Sequence, residues 1–224
     1  MGLESDIKTR LKEHGADFVH YVDISRLSGE QNKKFPRAVL LGIVLSPGYI
    51  RTISEEPVRV RTEEDEFCLK EKKTDRLADD IADYLSEKGY SAYSQSEKNI
   101  CATGHYDEKK KITPLPHKTI AGLAGLGWIG KHDLLIMPRY GSAVSMCSVL
   151  TDAPLETEPC TPGESQCGDC TVCRDICPVN AISGAVWTNE IPRDELVDVF
   201  RCISCMQCLA LCSWTQKYIR NKKE

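Results

Sequence analysis

Two cysteine runs near the C-terminus constrain this chain more than any other feature. The first reads Cys167-x2-Cys170-x2-Cys173-x3-Cys177-Pro178, and the second reads Cys202-x2-Cys205-x2-Cys208-x3-Cys212. Three closely spaced thiols can wrap one face of a compact inorganic cube. A fourth, three residues on, points away from that face. This is the ligand spacing of a cubane iron–sulfur cluster, and two runs imply two clusters. Each iron needs one soft, charged ligand, which a thiolate supplies. Zinc is disfavoured, because structural zinc draws on two well-separated ligand pairs.

The fourth cysteine of each run is expected to reach the neighbouring cluster. On that logic Cys167, Cys170, Cys173 and Cys212 hold the first [4Fe–4S] cluster. Cys177, Cys202, Cys205 and Cys208 hold the second. Pro178 presets the backbone for a short helix over Val179–Ile182. The crossed wiring ties the two runs together and brings the clusters within electron-hopping range.

The remaining cysteines, Cys68, Cys101, Cys147 and Cys160, have no ligand spacing and read as ordinary thiols. No run of about 18 apolar residues occurs, so no membrane-spanning helix is expected. Met1–Lys12 lacks an apolar signal core. The expected location is therefore the cytoplasm, where disulfides rarely persist and paired cysteines serve metals. The net charge of -4 argues against a general nucleic-acid binder.

Upstream of the cysteines the pattern is mixed. Leu3, Ile7 and Leu11 mark an amphipathic helix that Gly15 stops, and Phe18–Ile24 reads as a strand. Ala38–Leu45 is a continuous apolar run of strand length, suited to the centre of a sheet. Leu77, Ile81, Tyr84 and Leu85 share one helical face within Thr74–Lys88. Tyr90–Tyr93 and Ser142–Leu150 read as strands, and His117–Leu126 is helix-like. Thr151–Gln166 is rich in Pro, Glu and Thr and reads as a connector. Lys217–Glu224 reads as a basic tail.

Gly125-Leu126-Gly127-Trp128-Ile129-Gly130 matches a dinucleotide fingerprint letter for letter. That fingerprint needs a strand before it and a helix after it. Here a helix-like stretch precedes it, and Pro138 and Gly141 bar a long helix after it. The glycines still require close backbone approach or a sharp turn.

The stretch Ala124–His132, followed by Leu134–Pro138, Tyr140–Ser142, Leu150–Asp152 and the double cysteine segment, resembles the epoxyqueuosine reductases. More distantly it is similar to the reductive dehalogenases. The resemblance implies an α+β (α/β) corrinoid-binding domain over 1–155. A bacterial ferredoxin-like domain with two [4Fe–4S] clusters would follow over 156–224. It implies base-off cobalamin beside one cubane, with electrons passing through the clusters to cobalt. The matching positions near the corrin are Gly125, Gly127, Trp128, Ile129, Gly130, Lys131, Tyr140, Gly141 and Ser142.

The chain departs from this family in two respects, its short length and its proton donor. A proton-donating aspartate is expected a few residues before Pro114, and Lys111 occupies that place. His105, Tyr106 and Asp107 are the nearest candidates for general acid chemistry, with Lys111 and His117 close by. The departure, the short length and the acidic charge argue against tRNA as a partner.

The expected function is therefore a cobalamin-dependent iron–sulfur oxidoreductase acting on a small or nucleoside-type substrate. The alternatives are an activator that reduces the cobalt of a corrinoid protein, and an epoxyqueuosine reductase of tRNA modification. An external donor such as a ferredoxin or flavodoxin is expected to supply the electrons, and no membrane partner is expected.

Overall fold

The computed structural model describes residues 2–56, 62–157, 163–188 and 190–221. The chain is mixed α/β. Its elements run α1 (Leu3–Glu13), β1 (Phe18–Asp23), α2 (Gly29–Asn32), β2 (Arg37–Val44), α3 (Pro47–Glu55) and α4 (Glu66–Glu87). They continue with β3 (Ala92–Ser94), α5 (Glu97–Ala102), α6 (His117–Leu123), β4 (Trp128–Ile129), β5 (Leu135–Ile136) and β6 (Val144–Thr151). The cysteine segment adds α7 (Val172–Asp175), α8 (Arg193–Leu196), α9 (Gln207–Ala210) and α10 (Ser213–Asn221). No described helix is long and apolar enough to cross a membrane.

The chain divides into two compact units that interleave along the sequence. One comprises Met1–Ile43, Leu69–Ala124 and Ser145–Thr161; the other comprises Val44–Cys68, Gly125–Val144 and Pro162–Glu224. This differs from two consecutive domains meeting at 155/156. Residues 44–68 and 125–144 pack with the cysteine segment because their apolar side chains find partners there. Leu45, Tyr49 and Ile50 form one buried cluster with Leu209, Tyr218 and Ile219. The Tyr218 hydroxyl donates to Leu45 O at 3.0 Å, and Gln207 Nε2 donates to Ile53 O and Glu56 O.

The first unit is built on a sheet of order β1-β2-β6-β3, with β1/β2 and β3/β6 antiparallel. β2 is buried at six successive positions, as its unbroken apolar run requires. Ile7 and Leu11 of α1 join Leu77, Ile81 and Leu85 of α4 and Val39 and Leu41 of β2 in one core. α4 starts eight residues before the periodic stretch, since Glu66–Lys73 is also helical, with Phe67 packed against the cluster of Leu45, Tyr49 and Ile50. Ala153 and Leu155 are fully packed in this core, so the first part of the expected connector is structural. Cys160 and residues 158–162 lie outside the described residues.

Two further expectations in the cysteine segment change. Val179–Ile182 is a turn rather than a helix: Asn180 takes φ 50° and its N–H closes onto Cys177 O. The basic tail is largely α10, which buries Thr215, Tyr218 and Ile219 on one face. Lys217 and Arg220 supply the basic pattern on the other face, so charge alone hid an amphipathic helix.

Candidate functional site

The site is best built from the second unit's cysteines. Cys167, Cys170, Cys173 and Cys212 line a single cavity with Lys131, His132, Ile136, Val172, Ser213 and Trp214. α7 carries Cys173, and Cys212 precedes α10, so short helices set both thiols. Burial pushes the Cys173 thiol up to about 11, aided by Cys212, Cys167 and Cys170 beside it. Cys212 is raised in the same way, while the N–H groups of Trp214 and Thr215 oppose the shift.

The other thiols group apart. Burial first, then Cys202, Cys205, Cys173 and Cys177, push Cys208 up to about 12. Ala181 N–H donates to Cys177 Sγ at 3.2 Å, and Ser204 N–H to Cys202 Sγ at 3.4 Å. Such N–H···S bonds favour the thiolate. Among the described residues no three His, Cys, Asp or Glu side chains converge tightly enough to hold one metal ion. The first four thiols are instead spread round a shared cavity.

Three further observations test whether a cubane fits that cavity. Lys131 is only 7% exposed, and its ammonium donates to Gly168 O at 2.7 Å and Cys170 O at 3.1 Å. It has no carboxylate partner among the described residues. Burying a cation without a counter-ion costs several kcal/mol. Trp128 is 3% exposed, packs with Cys212, Cys167, Ile136 and Trp214, and its Nε1 has no hydrogen-bond partner among the described residues. An orphaned N–H costs about 1–3 kcal/mol. A cation and a donor left over beside four thiols suit an electron-rich, negatively charged cluster.

The glycine segment has an internal role here. α6 precedes it and the β4/β5 hairpin forms part of it, so the dinucleotide context is absent. A Cβ on Gly127 would lie 1.9 Å from Ile136 O, and one on Gly141 2.3 Å from Thr215 N. Gly125 and Gly141 have φ of 66° and 58°, where only glycine is unstrained. Gly130 N–H donates to Leu134 O at 2.8 Å, and Ile129 is buried. Ser142 N–H donates to Thr215 Oγ1 at 3.0 Å, and its hydroxyl meets His132 Nε2 at 3.3 Å. Tyr140 stacks edge-on to Tyr218. These positions thus make close contacts within the chain's own packing.

The proton-donor candidates lie in the first unit. Asp107 accepts Lys110 N–H in a tight exposed turn bridged to Ile112, with Lys111 at φ 51°. His105 Nδ1 meets Thr103 Oγ1 at 2.9 Å, and Tyr106 is exposed. All three line an open depression that also carries Lys33, Lys34 and Lys110.

His117 differs from these. Gln95 Nε2 donates to Leu115 O, which turns its Oε1 toward Ser148. The Ser148 hydroxyl must then donate to that Oε1 at 2.7 Å. Its oxygen therefore accepts from His117 Nδ1–H at 2.8 Å. Burial lowers the His117 pKa to about 4, so the ring is neutral with its lone pair on Nε2. Its Nδ1–H is thus engaged with Ser148. Nothing local signals this chain, because Gln95 and Ser148 lie 53 residues apart.

The comparisons agree with the sequence resemblance. No family model matches the chain. An epoxyqueuosine reductase from Synechococcus sp. (strain CC9605) is 37% identical over 121 residues, covering 47% of this chain and 37% of that protein. An epoxyqueuosine reductase solved with a tRNA-Tyr epoxyqueuosine-modified stem loop matches 96% of this chain and 65% of that one. Its TM-score is 0.58 at 17% identity. A reductive dehalogenase whose structure suggests a mechanism for B12-dependent dehalogenation matches 93% of this chain and 31% of that one. Its TM-score is 0.65 at 20% identity.

The chain therefore matches only about a third of its curated relative's length. Its architecture is mixed α/β, and its cysteines are consistent with an iron–sulfur protein. It is similar to the epoxyqueuosine reductases in sequence, and it shares a fold with them and with the reductive dehalogenases. The expectation against tRNA is overturned, since a structural neighbour was solved with a modified tRNA stem loop. Net charge misled because it averages over the whole surface, whereas nucleic acid meets one local face.

Proposed function

We propose that this chain is the redox portion of an epoxyqueuosine-reductase-type enzyme, reducing a modified nucleoside in tRNA. The observation that carries the proposal is the first cysteine cavity with its buried, uncompensated Lys131. Zinc would draw four ligands to within about 2.3 Å of one point. The spread of thiols favours a cubane instead. Cys167, Cys170, Cys173 and Cys212 would hold one [4Fe–4S] cluster, and Cys177, Cys202, Cys205 and Cys208 the other. Cys177 and Cys208 pack against the hydrophobic cluster that contains Cys173, which places thiols of the two groups side by side. In this reading the cysteine segment is a ferredoxin-like module, fed by a soluble one-electron donor in the cytoplasm.

Cobalamin enters from the likeness to the B12-dependent dehalogenase rather than from the glycine segment. When bound it would supply a strongly reducing cobalt centre to the substrate. This chain's own residues do the rest. The thiolates would hold the clusters, Lys131 holds the loop, and the neutral His117 ring offers its Nε2 lone pair as a hydrogen-bond acceptor. The lysines rimming the His105–Tyr106 depression offer the local positive charge that a phosphate backbone needs.

The test is anaerobic reconstitution with iron and sulfide analysis, cobalamin titration followed by absorbance and electron paramagnetic resonance, and turnover of epoxyqueuosine-containing tRNA. Two cubanes, a base-off cobalt(II) signal and conversion of the tRNA are expected. Two cubanes with no spectral change on adding cobalamin would remove the corrinoid from the proposal. Reduction of a corrinoid protein without tRNA turnover would make the chain an activator.

A further inference from the structure

Lys131 raises a question of charge. It is a buried ammonium lining the first cysteine cavity, and among the described residues every hydrogen bond it makes goes to a neutral backbone carbonyl. Both carbonyls, Gly168 O and Cys170 O, belong to the loop that carries the first cysteines. Two neutral carbonyls orient an ammonium but leave its charge uncompensated. The four thiols line the same cavity as that ammonium. A cubane held by four thiolates carries a net negative charge there.

We propose that Lys131 is the fixed counter-charge of the first cluster and sets its reduction potential. This rests on the iron–sulfur part of the proposed function and on neither the corrinoid nor the tRNA. Reduction moves one electron from an external donor onto the cluster, and the bound group gains one negative charge. A buried site disfavours that gain. A fixed cation at the cavity wall favours it, so the potential rises relative to the same site without the lysine. The second cysteine group has no such residue assigned to it and serves as the internal control.

The full chain is reconstituted as wild type, Lys131→Gln and Lys131→Arg. Iron is counted, and each sample is titrated with dithionite while electron paramagnetic resonance follows both centres. Lys131→Gln is expected to keep two clusters and lower one midpoint by at least a tenfold change in the one-electron equilibrium, about 59 mV. The other midpoint stays in place, and Lys131→Arg returns the first toward wild type. Two unchanged midpoints, or two that move together, overturn the proposal. If Lys131→Gln loses half its iron, Lys131→Arg decides. Full iron with the wild-type midpoint supports a counter-charge, and the same loss shows that only the shape of the side chain mattered. A wild type that assembles no cubane fails the iron–sulfur reading itself, a distinct result.

Discussion

The two cysteine groups are drawn from runs of identical spacing and have different surroundings. The first is walled in: Cys173 and Cys212 are buried, with Trp128, Ile136 and Trp214 around them and Lys131 at the edge. The second is open on one side, where Cys202 is exposed between Phe200 at 61% and Ile203 at 49% exposure. Water can screen added charge at the open group. At the walled group the chain must supply the screening itself, through Lys131 and the Trp128 N–H. Identical ligand motifs can thus hold centres of different potential.

The comparison breaks most completely at a ligand. Cys212→Ala should remove the first centre and about half the iron while the second survives, because crossed wiring puts Cys212 with the first run. Iron analysis with electron paramagnetic resonance checks this. Loss of the second centre with the first intact would refute the wiring.

Gly127→Ala comes next. Its Cβ would collide with Ile136 O, so the β4/β5 hairpin that carries Trp128 and Lys131 must shift. A destabilisation on the order of 3 kcal/mol is expected in thermal or denaturant unfolding, with the first centre lost before the second. A variant as stable as wild type would show that the hairpin is not packed as described.

Trp128→Phe is gentler. It keeps the apolar contact with Trp214 and removes only the orphaned N–H. The first midpoint should fall by about a threefold change in equilibrium, well short of the Lys131→Gln effect. An equal or larger fall would make the indole, not the lysine, the main control.

The smallest expected effect concerns pH and lies away from the clusters. His117 has a folded pKa of about 4, below its ordinary 6.5. Between those values the unfolded chain binds the extra proton and the folded chain does not. Its contribution is therefore present above about pH 6.5 and is lost as pH falls toward 4. Melting curves across that window should flatten in His117→Gln, while both cluster midpoints stay unchanged. A wild-type slope retained in the variant would assign the acid sensitivity to another group.

Much of the fold was legible where local pattern and packing agree. The β2 run, the α1 and α4 faces and their glycine stops carry enough apolar periodicity to declare themselves. α10 was missed because its buried stripe is short and its exposed face is basic. The connector was misread at Ala153 and Leu155, since proline and glutamate content hides two apolar residues that the core takes up. The glycine segment drew attention to the right residues. Only the backbone atoms packed against Gly127 and Gly141 showed that the close approach is internal.

The cysteine spacing by itself carries the electron-transfer reading, because ligand geometry round a cubane is local and the chain must supply it within a few residues. Tertiary structure alone decided that the two groups are unequal. Lys131 lies 36 residues before Cys167, and Trp128 lies further still. Burial and charge depend on residues that meet only after the chain has folded, and no spacing in the sequence records which buried cation ends beside which thiols.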